Sequence, residues 1–238
     1  MLPAAAADPL GSFVRAAGRA VPERLAAVYV VGGVALGDFS ARQSNLDVVA
    51  VFDPPLAETE TAAVRPAERA LARAGRPASV WYAGWDLIAD GPAGDPGGWP
   101  ELETPLTRAL LQEEAIAYMG PDWPVVAYDD GAYRNWCRRT LAELATGEHG
   151  MMVMRRGVTP LVLEAARLAL GATTGRVYSK SEAGDSAISL VPHHFRRILQ
   201  DAVGYRHGAT TSMYWGPFER KYDARQLIRE LVRAVGEA

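Results

Sequence analysis

Hydrophobic and polar positions divide this chain near residue 125 into a half with strand-like runs and a half with helical periodicity alone. In the first half, Leu25–Val31 is short and rich in valine, as buried strands are, and Leu46–Phe52 and Ala78–Ala83 read as second and third strands. Gly32-Gly33 stops the first of them and Asp53-Pro54-Pro55 the second. An amphipathic helix is expected over residues 9–20, with Phe13, Val14 and Ala17 turned inward. A second is expected over 58–74, with Gly75 just past its end where a C-terminal cap belongs. Residues 84–100 are dense in Gly, Pro and Asp and read as a loop, a flap beside a site. A helix over 105–114 and an apolar stretch over 115–119 complete this half, closed by Gly120-Pro121.

From Asp129 onward the pattern holds no strand. Helices are expected over 133–145, 159–172, 181–189, 192–205 and 218–235, with Pro160 and Pro192 in first turns. The fold class is therefore α+β: an N-terminal mixed sheet with helices over residues 1–125, then an all-α bundle over 126–238.

Composition narrows the function. The chain has 238 residues, 49% of them hydrophobic and 22% charged, enough for two ordinary cores. A formal charge of -3 supplies no broad positive field, so nucleic acid is not an expected partner. The single cysteine, Cys137, excludes an intrachain disulfide and reads as a packing residue. No basic leader with an apolar run stands at the start, and no stretch approaches the ~18 apolar residues a membrane span needs. A cytoplasmic protein with no membrane partner is expected.

The segment richest in chemistry is residues 28–52, VYVVGGVALGDFSARQSNLDVVAVF. A strand delivers two glycines, whose freedom allows a sharp turn and close approach to a ligand. Their N–H groups at a following helix start would suit phosphate. A dozen residues on, a second strand opens with Asn45-Leu46-Asp47, and positions two apart share a face. Asn45 and Asp47 should therefore lie side by side near Gly32 and Gly33. This arrangement resembles the polymerase-β-type nucleotidyltransferases, and within them the aminoglycoside nucleotidyltransferases that adenylylate streptomycin and spectinomycin. LLQEEAIAYMGPDW and LVLEAARLALGATTGRVYSKSEAGDSAISLVP resemble further stretches of that family, so the likeness runs from about residue 20 to 207.

The resemblance implies a nucleotidyltransferase-like N-terminal domain, Mg and ATP as cofactors if the activity is retained, and a small-molecule acceptor. It implies Gly32 and Gly33 on phosphate and Asp47 on metal. The pattern's first metal carboxylate is here Asn45, and Ser79 stands about where the family carries its catalytic base, so the carboxylates are depleted. Asp86 and Asp90, beyond the third strand, could replace the base only if their loop folds back. Glu182 and Asp185 share a helix face and either attract a cationic substrate or solvate a first turn. Trp81, Tyr82, Trp85 and Trp99 in the first half, and Tyr205, Tyr214, Trp215, Phe218 and Tyr222 in the second, are core residues or line an apolar pocket between domains. His193-His194 diverge on a helix and do not suggest a metal, and Arg155-Arg156 and Arg196-Arg197 read as solvated faces. Beside adenylyl transfer, two readings stand open. One is a repurposed, nucleotide-independent enzyme of specialised metabolism, a cyclase or isomerase for example, and the other a non-catalytic small-molecule-binding protein.

Overall fold

The structure, a computed structural model, describes residues 2–40, 44–72, 78–90, 104–122, 124, 126–147 and 154–237. It divides into two compact units, residues 1–128 and 129–238.

In the first unit a four-stranded mixed sheet has the order β3-β2-β1-β4, from β1 (Leu25–Val31), β2 (Leu46–Phe52), β3 (Ala78–Ala83) and β4 (Ile116–Met119). β1 runs antiparallel to β2 and β4, and β2 runs parallel to β3. The three longer strands begin and end where their apolar runs do. The register is informative: Val31, Asp47 and Ser79 lie level across the sheet, as do Tyr29, Val49 and Trp81. Alternation then sends Val28, Val30, Val48, Ala50, Val80 and Tyr82 to the opposite face. There they meet Leu10, Phe13 and Ala17 of α1 (Ala4–Ala20), Val64 of α2 (Glu58–Val64) and Leu71 of α3 (Glu68–Leu71) in one core. The Trp81 face is covered by α4 (Trp85–Asp90) and α5 (Pro105–Glu113), whose Arg108 lies 5.5 Å from the Trp81 ring. Arg108 also donates to the carbonyls of Leu87 and Ile88, joining the two helices.

Several boundaries differ from the sequence reading. α1 starts five residues early because the alanine run favours helix, and Pro9 is carried inside it. Pro66 breaks the helix expected over 58–74: residues 65–67 form a 3-10 turn between α2 and α3, and Gly75 lies outside the described residues. Residues 85–90 of the expected loop are helical, while 91–100, with Trp99, lie outside the described residues.

The second unit holds α6 (Asp130–Thr146), α7 (Arg155–Thr174), α8 (Lys180–Ser186), α9 (Arg196–Arg206) and α10 (Pro217–Gly236). α7 is central, packing on the other four. It begins before Pro160, which sits inside it, and Pro192 precedes a short 3-10 turn instead of opening α9. Gly171 lets α6 approach: a Cβ there would lie 2.7 Å from the Tyr133 hydroxyl and 2.8 Å from Cys137 Sγ. Cys137 is buried, and burial pushes its thiol up to about 12.

Two ion clusters fasten this unit. Asp201 on α9 is 1% exposed and meets Arg155 at 3.1 Å and Arg220 of α10 at 3.3 Å. It also accepts from the Ser212 hydroxyl and the Met213 N–H. Arg197 donates to the Met213 carbonyl and to Glu219. Arg155 and Arg197 are thus structural, not merely solvated, because each has a carboxylate and backbone carbonyls within reach. In the second cluster Glu164 of α7 binds Arg167 at 2.5 Å and Lys180 of α8 at 3.3 Å. Burial raises the Glu164 carboxyl, but Arg167 and Lys180 outweigh it and hold the group down to about 2.

Asp201→Ala removes the carboxylate partner of buried Arg220 and of the largely buried Arg155, and is expected to cost about 3–5 kcal/mol in urea unfolding. Glu164 has a folded pKa of about 2 against an ordinary 4.5, so its stabilisation is complete at neutral pH and lost as pH falls through that window. Glu164→Gln should therefore lose on the order of 3 kcal/mol at pH 7, with the difference from wild type closing toward pH 2. Paired urea curves at the two pH values measure it.

Candidate functional site

The end of β1 sets the geometry. Gly32, directly after Val31, has φ +66, the left-handed region that favours glycine. Across the strand pair lies Asp47, and a Cβ built on Gly32 would collide with Asp47 Oδ2. Glycine is therefore required twice at this position, by its backbone and by the carboxylate laid over it. The chain next folds into one compact turn: Leu36 N–H donates to Gly32 O at 3.0 Å and Asp38 N–H to Gly33 O at 2.8 Å. This is a turn and not the helix start expected from the sequence, so no helix dipole adds to it. The N–H groups of Gly33, Val34 and Ala35 donate to no acceptor among the described residues. Three successive amides of that kind make a concavity suited to an anion.

Asp47 and Ser79 are partly exposed, level on neighbouring parallel strands and on one sheet face. Backbones of such neighbours lie roughly 4.8 Å apart. Asn45 is exposed immediately before β2. Ser44, which the sequence reading did not single out, holds that approach: its hydroxyl accepts from Ser40 N–H at 3.0 Å and its N–H donates to Ser40 O at 2.8 Å. Val34 and Ala35 were missed as well, because a backbone donor leaves no mark in residue type. Among the described residues no three His, Cys, Asp or Glu side chains are grouped to hold a metal by themselves.

The other expected site residues scatter. Asp86 and Trp85 follow β3, whose Ala83 is four residues beyond Ser79, roughly 13 Å along the strand. Asp86 therefore stands beyond the far end of the sheet from Asp47 and does not replace the base. The side chain of Asp90 is outside the described residues. Trp81 is buried beneath Arg108. Tyr82 points to the opposite face, where its hydroxyl donates to Glu68 at 2.8 Å, and burial and that carboxylate raise its pKa. The expected pairing of Trp81 with Tyr82 in one pocket thus fails on strand alternation alone.

In the helical unit, Tyr214 is buried between Arg197 and Arg220 and its hydroxyl donates to Asp223 at 2.7 Å, whereas Trp215 is fully exposed. Glu182 caps its own helix: its N–H donates to Ser179 Oγ at 3.1 Å and its carboxylate accepts from Ser179 N–H at 3.4 Å. Asp185 is exposed on the same helix, and His193 and His194 are exposed on their turn.

Residues 136–233 match the family described as aminoglycoside adenylyltransferase, C-terminal domain. A solved structure of spectinomycin adenyltransferase AAD(9) from Enterococcus faecialis, with ATP and spectinomycin, superposes with a TM-score of 0.71. Identity is 14%, over 94% of this chain and 98% of that one. No curated protein matches the sequence. Among the described residues no helix is long and apolar enough to cross a membrane. Residues 136–233 thus resemble an aminoglycoside adenylyltransferase C-terminal domain, and the chain as a whole shares the fold of the solved adenyltransferase.

Proposed function

We propose that the protein transfers AMP from ATP to a hydroxyl of an aminoglycoside-like small molecule, slowly, because one metal carboxylate and the base are missing. The observation that carries this reading is the Asp47 carboxylate packed on Gly32 beside three unpartnered backbone amides. The amides of Gly33, Val34 and Ala35 would cradle phosphate oxygens. Around them the donors are all oxygen: the Asp47 carboxylate, the Asn45 amide carbonyl and the Ser79 hydroxyl. That set suits Mg²⁺, which one or two carboxylates hold when substrate phosphates complete its octahedron. Bound there with the triphosphate, the ion would neutralise charge developing at the α-phosphate.

In the transfer the acceptor oxygen forms a bond to the α-phosphorus and the bond to pyrophosphate breaks. Asp47 fixes the triphosphate end of that line and the amides hold it against the sheet. The acceptor's proton passes to water, since Ser79 offers a hydroxyl where a carboxylate would take it. Loss of a general base costs typically 10²–10⁴-fold. Ser79 equally favours a second reading, in which the site binds nucleotide or antibiotic without transfer. The nucleotide-independent enzyme has less support, because Trp81 and Tyr82 lie on opposite sheet faces, Tyr214 is buried, and Trp215, Phe218 and Tyr222 are exposed.

The purified protein is to be incubated with Mg-ATP and spectinomycin or streptomycin, and the acceptor weighed by mass spectrometry. A product heavier by one adenylyl group is expected, absent in Asp47→Ala and in Gly32→Ala, whose Cβ displaces the carboxylate. Ser79→Glu should raise the rate on the order of 10²-fold. No adenylylated product from wild type and none from Ser79→Glu would reject transfer and leave the binding reading.

A further inference from the structure

The layer of helices on the other side of the sheet carries a feature that adenylyl transfer does not use. Ser12, Arg15, Ala16 and Arg19 recur at i, i+3, i+4 and i+7 and so form one stripe along α1. This stripe, the 65–67 turn and α3 line an open groove of about 400 Å³, with Arg69 on the α3 side. Its floor is built from small side chains, Ala16 and Ala67 among them. The helices meet the sheet on the face opposite Asp47, so the groove is separate from the proposed nucleotide site.

The charge in this groove is one-sided. Arg15, Arg19 and Arg69 line it, no carboxylate does, and none of the three forms an ion pair among the described residues. The acids nearest in sequence are turned elsewhere: Glu60 pairs with Arg24 at 2.7 Å, and Glu68 accepts from the Tyr82 hydroxyl. Asp8 lies one turn before Ser12 and is not part of the lining. Arg15 and Arg19, one turn apart, repel each other, and a bound anion would convert that repulsion into attraction. Guanidinium forks match phosphate oxygens in pairs. The groove's size falls in the range of small-molecule sites, roughly 300–1,000 Å³. Among the described residues three arginines line the groove, and a chain of formal charge -3 offers no broad positive field for a nucleic acid.

We propose that this groove is a binding site for a small soluble ligand bearing two or more phosphates, held by Arg15, Arg19 and Arg69. A phosphate-bearing lipid headgroup shares the chemistry, but the concave walls and alanine floor suit a free molecule, and the experiment separates the two sources.

The test is amide hydrogen exchange on the full chain with inorganic pyrophosphate as probe. Sodium chloride at equal ionic strength is the control, and vesicles containing phosphatidic acid are a separate arm. Pyrophosphate is expected to protect residues 12–19 and 66–70, and chloride is not. In Arg19→Gln/Arg69→Gln, whose exposed positions leave folding intact, the concentration needed should rise at least tenfold. Arg19→Lys/Arg69→Lys keeps the charge without the fork and should fall between. Protection in Asp47→Ala should match wild type, which separates this groove from the nucleotide site. Absent protection in these helices, equal protection in the double Gln variant, or protection by vesicles but not by pyrophosphate would each overturn the proposal.

Discussion

The chemistry available to the N-terminal unit depends on a steric constraint, the contact between the Asp47 carboxylate and the bare Cα of Gly32. β1 must end at Val31 in register with Asp47 for the two to meet, and that register is specified by the buried valines on both faces of the sheet. Once the carboxylate occupies the space of a missing Cβ, the chain leaves through a left-handed residue. In the turn that follows, the Gly33, Val34 and Ala35 amides donate to no acceptor among the described residues. A slip of one residue would send Asp47 into the core packed by α1 and α3, where no partner for a charge stands.

The same register explains why the site is poor in charge. β3 lies parallel to β2 and brings Ser79, not a carboxylate, level with Asp47. The next acid, Asp86, follows a strand that carries it away along the sheet. The helical unit reverses this economy of charge, placing carboxylates where they fasten helices. Asp201 joins α7, α9, the 209–213 segment and α10, and Glu164 joins α7 to α8 through Lys180. Such clusters hold a bundle in one arrangement but offer little to a substrate, because their oxygens are already engaged.

The three long strands were legible to the residue, since each is a short run of apolar, β-branched or aromatic residues ended by Gly-Gly, by Asp-Pro-Pro or by a glycine. The α+β class followed from them. Helix starts were less legible: Pro9 and Pro160 suggest first turns, yet each is carried inside a helix whose preceding residues supply the turn. At the site, Asp47 was foreseen beside Gly32 from strand spacing, whereas Ser79 was singled out by resemblance alone and its level register with Asp47 comes from the parallel pairing of β2 and β3. The fates of Trp81 and Tyr82 follow from that same periodicity, which adjacency in sequence had obscured. Asp201 was invisible beforehand, because its partner Arg155 is 46 residues away and no local pattern ties the two. Backbone donors and the basic groove depend likewise on contacts between distant segments.

In the proposed reaction Asp47 and the turn beside it hold a magnesium nucleotide without other carboxylates. Calorimetric titration with ATP, in the presence and absence of Mg²⁺, tests this most directly. Binding in the micromolar range that requires the metal, with no heat from Mg²⁺ alone, is the predicted result, because one carboxylate needs the phosphates to complete the ion's shell. ATP binding that is absent, or indifferent to Mg²⁺, would contradict it.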